Sequence, residues 1–315
     1  MRLLTYRSQS LNPFSNLAKE QLFMEMIEEN EQLLFLWQNS KTVVIGRNQN
    51  PWKECRVANL EKDGGFLAKR LSGGGAVYHD DGNLNFTFIS PRAAYDQGKN
   101  TEIIVDAVRS FGLDARKSGR NDIEIDGAKF SGNAFFRTSR SYCHHGTLMV
   151  CVDTSKLADY LQPDPRKLKA RSVDSVRSRV INLQDLNTSI TIKSLSQALI
   201  TAFSHAYNEI VCEISPSRLP EASALKKAEE FFQSSHWRYG KSFTPTHSFD
   251  ERFNWGTIDI QLKVEGGIIK DALVYSDALD LVLVDELRAS LINDSYDTSK
   301  FTELFEKLAN RKVVL

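Results

Sequence analysis

The chain has 315 residues with 40 basic and 40 acidic side chains, a length beyond one usual core that implies a large domain with a smaller companion, or two. Balanced charge argues against a global nucleic-acid binder, and no apolar run approaches membrane-spanning length. Residues Met1 to Ser8 lack a signal-peptide apolar stretch, and Cys55, Cys143, Cys151 and Cys212 form no C-x-x-C pair, so neither a zinc site nor a secreted disulfide framework is expected. The expected location is cytoplasmic.

Phe14, Leu17, Ala18, Leu22 and Met26 recur near helical spacing behind Pro13, which predicts a core-packing amphipathic helix. Leu33 to Trp37 and Thr42 to Ile45, separated by a polar Gln-Asn-Ser-Lys turn, read as paired strands, after which Gly46-Arg47-Asn48 leaves the sheet. From Lys69 the chain reads Lys-Arg-Leu-Ser-Gly-Gly-Gly-Ala-Val-Tyr-His-Asp-Asp-Gly-Asn. Gly73, Gly74 and Gly75 leave backbone N–H groups uncovered where an anion can approach, the pattern of a phosphate cradle; a flexible turn before a strand is the alternative. The spacing is not a Rossmann fingerprint, because Tyr78 stands where a third glycine would fall, and no Gly-Lys-Ser/Thr follows to make a Walker A loop.

Leu84, Phe86 and Phe88 alternate with Asn85 and Thr87, the period of a half-buried strand. A helix is predicted from Thr101 to Phe111, stopping at Gly112. Ile123 and Ile125 then open a hairpin that turns at Asp126-Gly127 and places Lys129 at the start of the return strand. A lysine beside a turn is usually solvated, but the small residues Ser131, Gly132 and Ala134 after it indicate close approach to the backbone. Lys156 to Arg179 carries Pro163, Pro165 and the basic residues Arg166, Lys167, Lys169, Arg171, Arg177 and Arg179 within an irregular stretch that, on composition alone, is a solvated linker. Helices are predicted over Leu195 to Tyr207, with His205 as a packed or surface residue, and over Pro220 to Phe232. Trp237 to Phe249 reads as a connector and divides the chain into residues 1–246 and 247–315. Beyond it, Ile258 to Val264 and Ile268 to Tyr275 form a hairpin about Gly266-Gly267, and a helix runs through Phe301, Leu304, Phe305 and Leu308.

Arg70-Leu-Ser-Gly-Gly-Gly-Ala-Val-Tyr-His-Asp80 resembles the signature loop of the lipoate-protein ligases, within the wider biotin/lipoate ligase and octanoyltransferase superfamily. Val44-Ile-Gly-Arg-Asn-Gln-Asn50, Gly119-Arg-Asn-Asp122, Lys129-Phe-Ser-Gly132, His144-His-Gly-Thr-Leu148 and Ser175-Val-Arg-Ser-Arg-Val-Ile-Asn-Leu183 resemble further blocks of that family in order. Asp250-Glu-Arg-Phe-Asn-Trp-Gly256 resembles the start of its small accessory domain. The resemblance implies an α+β fold: a large, mixed, mainly antiparallel sheet flanked by helices, with a small C-terminal α+β domain. It implies ATP-dependent ligation of lipoate to a lysine of a carrier domain through lipoyl-AMP, with ATP and Mg²⁺ as cofactors. The implied carriers are lipoyl domains of 2-oxoacid dehydrogenase acyltransferase subunits or the glycine-cleavage H protein, with no nucleic-acid or membrane partner.

By the same resemblance, Lys129 contacts both the lipoate carboxylate and the nucleotide α-phosphate. Arg70, Gly75, Ala76, Val77, Tyr78, Asn121 and Asp122 are implied on the adenylate, and Ser72, Gly73, Gly74 and Arg47 on lipoate. Asp122 is the candidate Mg²⁺ contact. Asn121 and Asp122 can equally be turn residues of structural value, and Arg47 a solvated loop residue. The basic stretch from Lys156 to Arg179 would be a mobile adenylate-binding loop. The chemistry suits these residue types, because a carboxylate attacking a phosphate brings two anions together and needs cations and N–H donors placed in advance. His79 is not taken as a base, since aminolysis of an activated acyl group can proceed by proximity. Two rivals remain: an octanoyl or lipoyl transferase working through a thioester on Cys143 or Cys151, and a noncatalytic binder that kept the pocket. The accessory domain speaks against the first, Lys129 and the glycine loop against the second; biotin ligation is weaker because the match follows the lipoate signature.

Overall fold

The computed structural model describes residues 1–119, 121–162 and 180–311. Its strands in chain order are β1 Arg2–Arg7, β2 Glu31–Trp37, β3 Thr42–Ile45, β4 Phe66–Lys69, β5 Val77–His79, β6 Asn83–Pro91, β7 Arg116–Ser118, β8 Asp122–Ile125, β9 Ala128–Arg137, β10 Ser141–Met149, β11 Val211–Glu213, β12 His247–Phe253, β13 Gly256–Glu265 and β14 Ile268–Ser276. An eight-stranded sheet has the order β11-β1-β2-β6-β10-β9-β8-β7, with only the β1 pairings to β11 and β2 parallel. A small sheet, β4-β3-β5, and a C-terminal sheet, β12-β13-β14, complete the architecture. This is the mixed, mainly antiparallel α+β arrangement expected.

One face of the large sheet packs Leu84, Phe86 and Phe88 against the Gln97–Arg109 and Ile192–Tyr207 helices. The other face packs Leu33, Phe35 and Ile89 against the Pro13–Met26 helix, whose first turn is capped by the Asn12 side chain accepting from Phe14 and Ser15 N–H. The C-terminal sheet holds a core of its own, with Ile258, Ile260 and Leu262 packed under the Leu281–Leu291 and Thr298–Ala309 helices.

Several expectations need correcting. β2 and β3 are not partners: β2 already has β1 on one edge and β6 on the other, so β3 founds the small sheet instead. β6 is not half-exposed, since all nine of its residues are buried. On its polar face Asn85 lines a cavity, and Thr87 is covered by hydrogen bonds to Glu20 and Trp37. The first of the predicted later helices starts at Gln97, where Asp96 accepts from Lys99 N–H, and ends at Arg109. The connector read from Trp237 to Phe249 contains a short helix, Ser235–Tyr239, and the start of β12, and the Leu281–Leu291 helix had not been anticipated. Lys156 to Tyr160 belong to the Ser155–Tyr160 helix; the rest of the expected adenylate-binding loop, 163–179, lies outside the described residues. The Asp126-Gly127 hairpin is as expected, both residues taking positive φ (51° and 77°) as a tight two-residue turn requires.

Candidate functional site

A cavity of about 650 Å³, mouth included, lies between the large sheet and the small one. Strand register explains its wall. Trp37, Asn85 and Thr147 stand side by side across β2, β6 and β10, and Phe35, Thr87, His145 and Ala134 form the next row across β2, β6, β10 and β9. Side chains two apart on each strand share a face. The glycine loop, β5 and the Pro13–Met26 helix supply the opposing surface through Gly74, Gly75, Val77, His79 and Leu17.

At the mouth stands Lys129. Its Nζ lies 2.6 Å from Asp122 Oδ1, with both side chains about one-third exposed, 34% and 35%. The end of the lysine side chain lies over Gly132, where a Cβ would meet Nζ at 2.9 Å and push that flexible end aside. Asn121, also at the mouth, exchanges hydrogen bonds with Asn133: its Nδ2 donates to the Asn133 carbonyl and Asn133 Nδ2 donates to the Asn121 carbonyl. Where the chain returns at Val180 and Ile181 it pairs beside the lysine, and Ile181 N–H donates to the Lys129 carbonyl at 2.9 Å.

Arg70 is buried and spends its guanidinium on the loop itself. It donates to Ser72 Oγ (3.0 Å) and to the carbonyls of Val44 (3.2 Å), Gly73 (2.7 Å) and Gly75 (2.8 Å). Burial lowers its pKa to about 10, which still leaves it charged at neutral pH. A cation wrapped in carbonyls fixes the shape of the loop. Gly74 has φ 91° and donates its N–H to the Ala278 carbonyl at 3.1 Å, while a Cβ on Gly73 would meet that same carbonyl oxygen at 2.4 Å. The C-terminal domain therefore sits against two of the three glycines. Gly75 has open space beside its Cα and lines the cavity.

The inner end is a buried polar relay. Glu20 accepts from Thr87 Oγ1 (2.7 Å) and from His145 Nδ1 (2.8 Å), Trp37 Nε1 donates to Thr87 Oγ1 (3.0 Å), and His145 Nε2 meets Ser72 Oγ (2.7 Å). This connects the helix, the large sheet and the glycine loop in one network.

Of the residues anticipated from sequence, Arg70, Gly74, Gly75, Ala76, Val77, Asn121 and Lys129 line the cavity. Asp122 touches it through Lys129 and Ser72 through His145. Gly73 lies under Ala278 instead. Tyr78 points to the opposite side of β5, where it packs on Tyr160 with ring centroids 5.4 Å apart. Arg47 is turned to the C-terminal domain and pairs with Asp285 at 3.2 Å. Leu17, Glu20, Trp37, Asn85 and Thr147 were not anticipated. The polar positions of β6 were their one local signal.

The cysteines are unfavourable nucleophiles. Cys143 is wholly buried, and burial together with Glu20 pushes its thiol well above the usual range. Cys151 lies beyond the end of β10 at Met149, where Gly82 packs against its backbone and the Gly82 carbonyl accepts from Val150 and Cys151 N–H, and its thiol is exposed. Among the described residues, the one cluster with metal-ligand geometry is Glu20, Cys143 and His145, fully inside the core. Among the described residues no helix is long and apolar enough to cross a membrane.

The Lipoyl protein ligase A/B catalytic domain family matches residues 12–204, and the Bacterial lipoate protein ligase C-terminus family matches residues 242–314. Lipoate-protein ligase A of Psychrobacter cryohalolentis is 44% identical, covering 98% of this chain and 93% of the relative. The crystal structure of P. falciparum LipL1 in complex with lipoate superposes with a TM-score of 0.82 at 32% identity, over 97% of this chain and 94% of that one. A lipoate-protein ligase A bound with ATP gives 0.65 at 26% identity, over 76% and 98%. A bipartite lipoate protein ligase of Thermoplasma acidophilum, from a study that includes its E2 lipoyl domain, gives 0.66 at 26% identity, over 78% and 98%. With both family matches falling in order along the chain, the protein belongs to the lipoate-protein ligase family.

Proposed function

We propose that the protein activates lipoate with ATP and passes the lipoyl group to a lysine of a lipoyl domain. The observation that carries this reading is Lys129 at the mouth of a deep, largely apolar-walled cavity, next to the open Gly75 face of the glycine loop. An acyl tail enters toward Leu17 and Trp37 while its carboxylate stays at the lysine. A carboxylate oxygen attacks the α-phosphorus and the bond to pyrophosphate breaks. The carrier amine then attacks the acyl carbon, AMP leaves, and the amine loses a proton. Lys129 stabilises the charge that gathers at the α-phosphate, once it exchanges its Asp122 contact for substrate oxygens. Asn121, Gly75, Ala76 and Val77 flank the adenylate, with Arg70 acting by holding the loop carbonyls, and Ser72 and Gly74 shaping the lipoate side.

Asp122 fits a magnesium contact, being a part-exposed hard-oxygen ligand at the mouth, and the ion would supply positive charge against the phosphates there. The buried Glu20–Cys143–His145 cluster, with its thiol and imidazole, is unsuited to it. The carrier is a lipoyl domain, as in the archaeal system, of either the acyltransferase-subunit or the H-protein type. The domains divide at residues 246 and 247, and the protein works in the cytoplasm. Pyrophosphate release from ATP by purified protein must depend on lipoate and need no carrier; carrier-dependent release, or none, would sink the two-step reading.

A further inference from the structure

The cavity wall carries two hydrogen-bond donors that no described residue accepts. His79 on β5 and Asn85 on β6 both line it and are 2% and 1% exposed. Their orientation is fixed by neighbours. Asn16 Nδ2 donates to Asn39 Oδ1 at 3.0 Å, which turns Asn39 Nδ2 toward His79 Nδ1 at 3.2 Å. Nδ1 is thus the acceptor, and the ring proton is assigned to Nε2. Burial and the Arg70 charge push the His79 pKa down to about 3, so the ring stays neutral. Asn85 Oδ1 accepts from Asn83 Nδ2 at 3.0 Å, which leaves the Asn85 Nδ2 hydrogens uncommitted. His79 Nε2 and Asn85 Nδ2 are both buried nitrogens without a partner among the described residues.

Nearby carboxylate capacity is already engaged, since Glu20 accepts from Thr87 and His145. The side chains of Leu17, Trp37, Val44 and Val77 on this part of the wall accept nothing, and Thr147 Oγ1 beside Asn85 already accepts from Gly132 N–H at 3.3 Å. Two buried N–H groups facing an apolar tail would each forfeit a hydrogen bond, and native structures rarely leave such groups unmet. A tail that brings lone pairs removes that penalty.

We propose that His79 Nε2–H and Asn85 Nδ2–H read the far end of the acyl chain, favouring a tail with sulfur lone pairs over a saturated hydrocarbon tail of equal length. The inference rests on the proposed lipoate activation and adds the residues that choose the acid. Discrimination comes mainly from the wrong tail, because an octanoyl chain enters with both donors dry. A sulfur acceptor need not bond strongly for the difference to appear.

The test compares lipoate with octanoate on the full chain, by kcat/KM for pyrophosphate release and, independently of turnover, by calorimetric binding of each acid. Wild type should prefer lipoate, and Asn85→Leu should lower the lipoate-to-octanoate ratio about fivefold or more, mostly by improving octanoate. His79→Phe should move the ratio the same way. If the larger side chains prevent folding, Asn85→Ala reads the same ratio. A wild type that takes octanoate as well as lipoate, or variants whose ratio stays within about twofold of wild type, overturns the inference. Failure of pyrophosphate release with both acids while the binding ratio shifts as expected would instead refute the proposed activation.

Discussion

The two ends of the cavity are built on opposite principles. At the mouth, Lys129 and Asp122 are part-exposed, neighbours along one hairpin, and held by a single ion pair that substrate can displace. At the inner end, Glu20, Trp37, Thr87, His145 and Ser72 come from five separate segments, are buried, and lock one another through hydrogen bonds. Chemistry that changes charge during a reaction needs groups free to exchange partners. A pocket that only recognises shape and polarity can be rigid, and its residues then carry stability as well as specificity. The mouth should therefore break in activity without breaking the fold, and the inner end should break both.

The largest effect is expected for Lys129→Ala. Adenylate formation should fall by more than about a hundredfold, roughly 3 kcal/mol of transition-state stabilisation, with the thermal midpoint little changed because the side chain is one-third exposed. A near wild-type rate of lipoyl-AMP formation would remove the lysine from the mechanism. Next, Glu20→Ala should cost about 2 kcal/mol in denaturant unfolding and raise KM for the acid, since it leaves His145 Nδ1–H and Thr87 Oγ1–H without their acceptor in the core. An unchanged unfolding midpoint would show that the relay contributes nothing to the fold.

Removing residues 248–315 tests the side on which the C-terminal domain leans. Ala278 accepts from Gly74, Ser276 N–H donates to the Asn48 carbonyl, and Asp285 pairs with Arg47, so the C-terminal domain holds the glycine loop and the segment after β3. The shortened chain should remain folded through its own two large cores and lose roughly tenfold or more in activation, while retaining transfer from supplied lipoyl-AMP. Equal loss of both steps would refute that division.

Two buried histidines, His79 on the cavity wall and His144 on the opposite face of the large sheet, also predict a pH dependence. Burial, helped by neighbouring positive charge, lowers His79 and His144 from 6.5 to about 3, so between those values the unfolded chain binds protons that the folded chain does not. Stability should be level above about pH 6.5 and fall below it by up to ~1.4 kcal/mol per pH unit for each histidine until the folded pKa is reached. His144→Phe should halve the slope measured by denaturation between pH 6 and pH 4. A slope identical to wild type would place the proton uptake elsewhere. The smallest effects belong to the cysteines: Cys143→Ser and Cys151→Ser should each keep ATP-dependent lipoylation within about threefold, with no hydroxylamine-sensitive acyl-enzyme. An acyl group trapped on either thiol without ATP would restore the transferase reading.

Local pattern alone reached the glycine loop, the hairpin that presents Lys129 and the separate C-terminal unit, because turns, two-residue periodicity and consecutive glycines are written in neighbouring residues. It misjudged β3 and β6 for one shared reason. Whether a strand edge is free, or a polar strand face meets water, depends on what other segments have already occupied, and β1, the small sheet and the Pro13–Met26 helix occupy those places. Tertiary structure likewise turned Tyr78 and Arg47 away from the cavity and committed Arg70 to the loop it precedes. It also decided the inner end, where Trp37, Asn85 and Thr147 meet through sheet register and Leu17 joins them by helix packing. Linear spacing records which side chains share a strand face, whereas the partner across the cavity is fixed by packing between sheets.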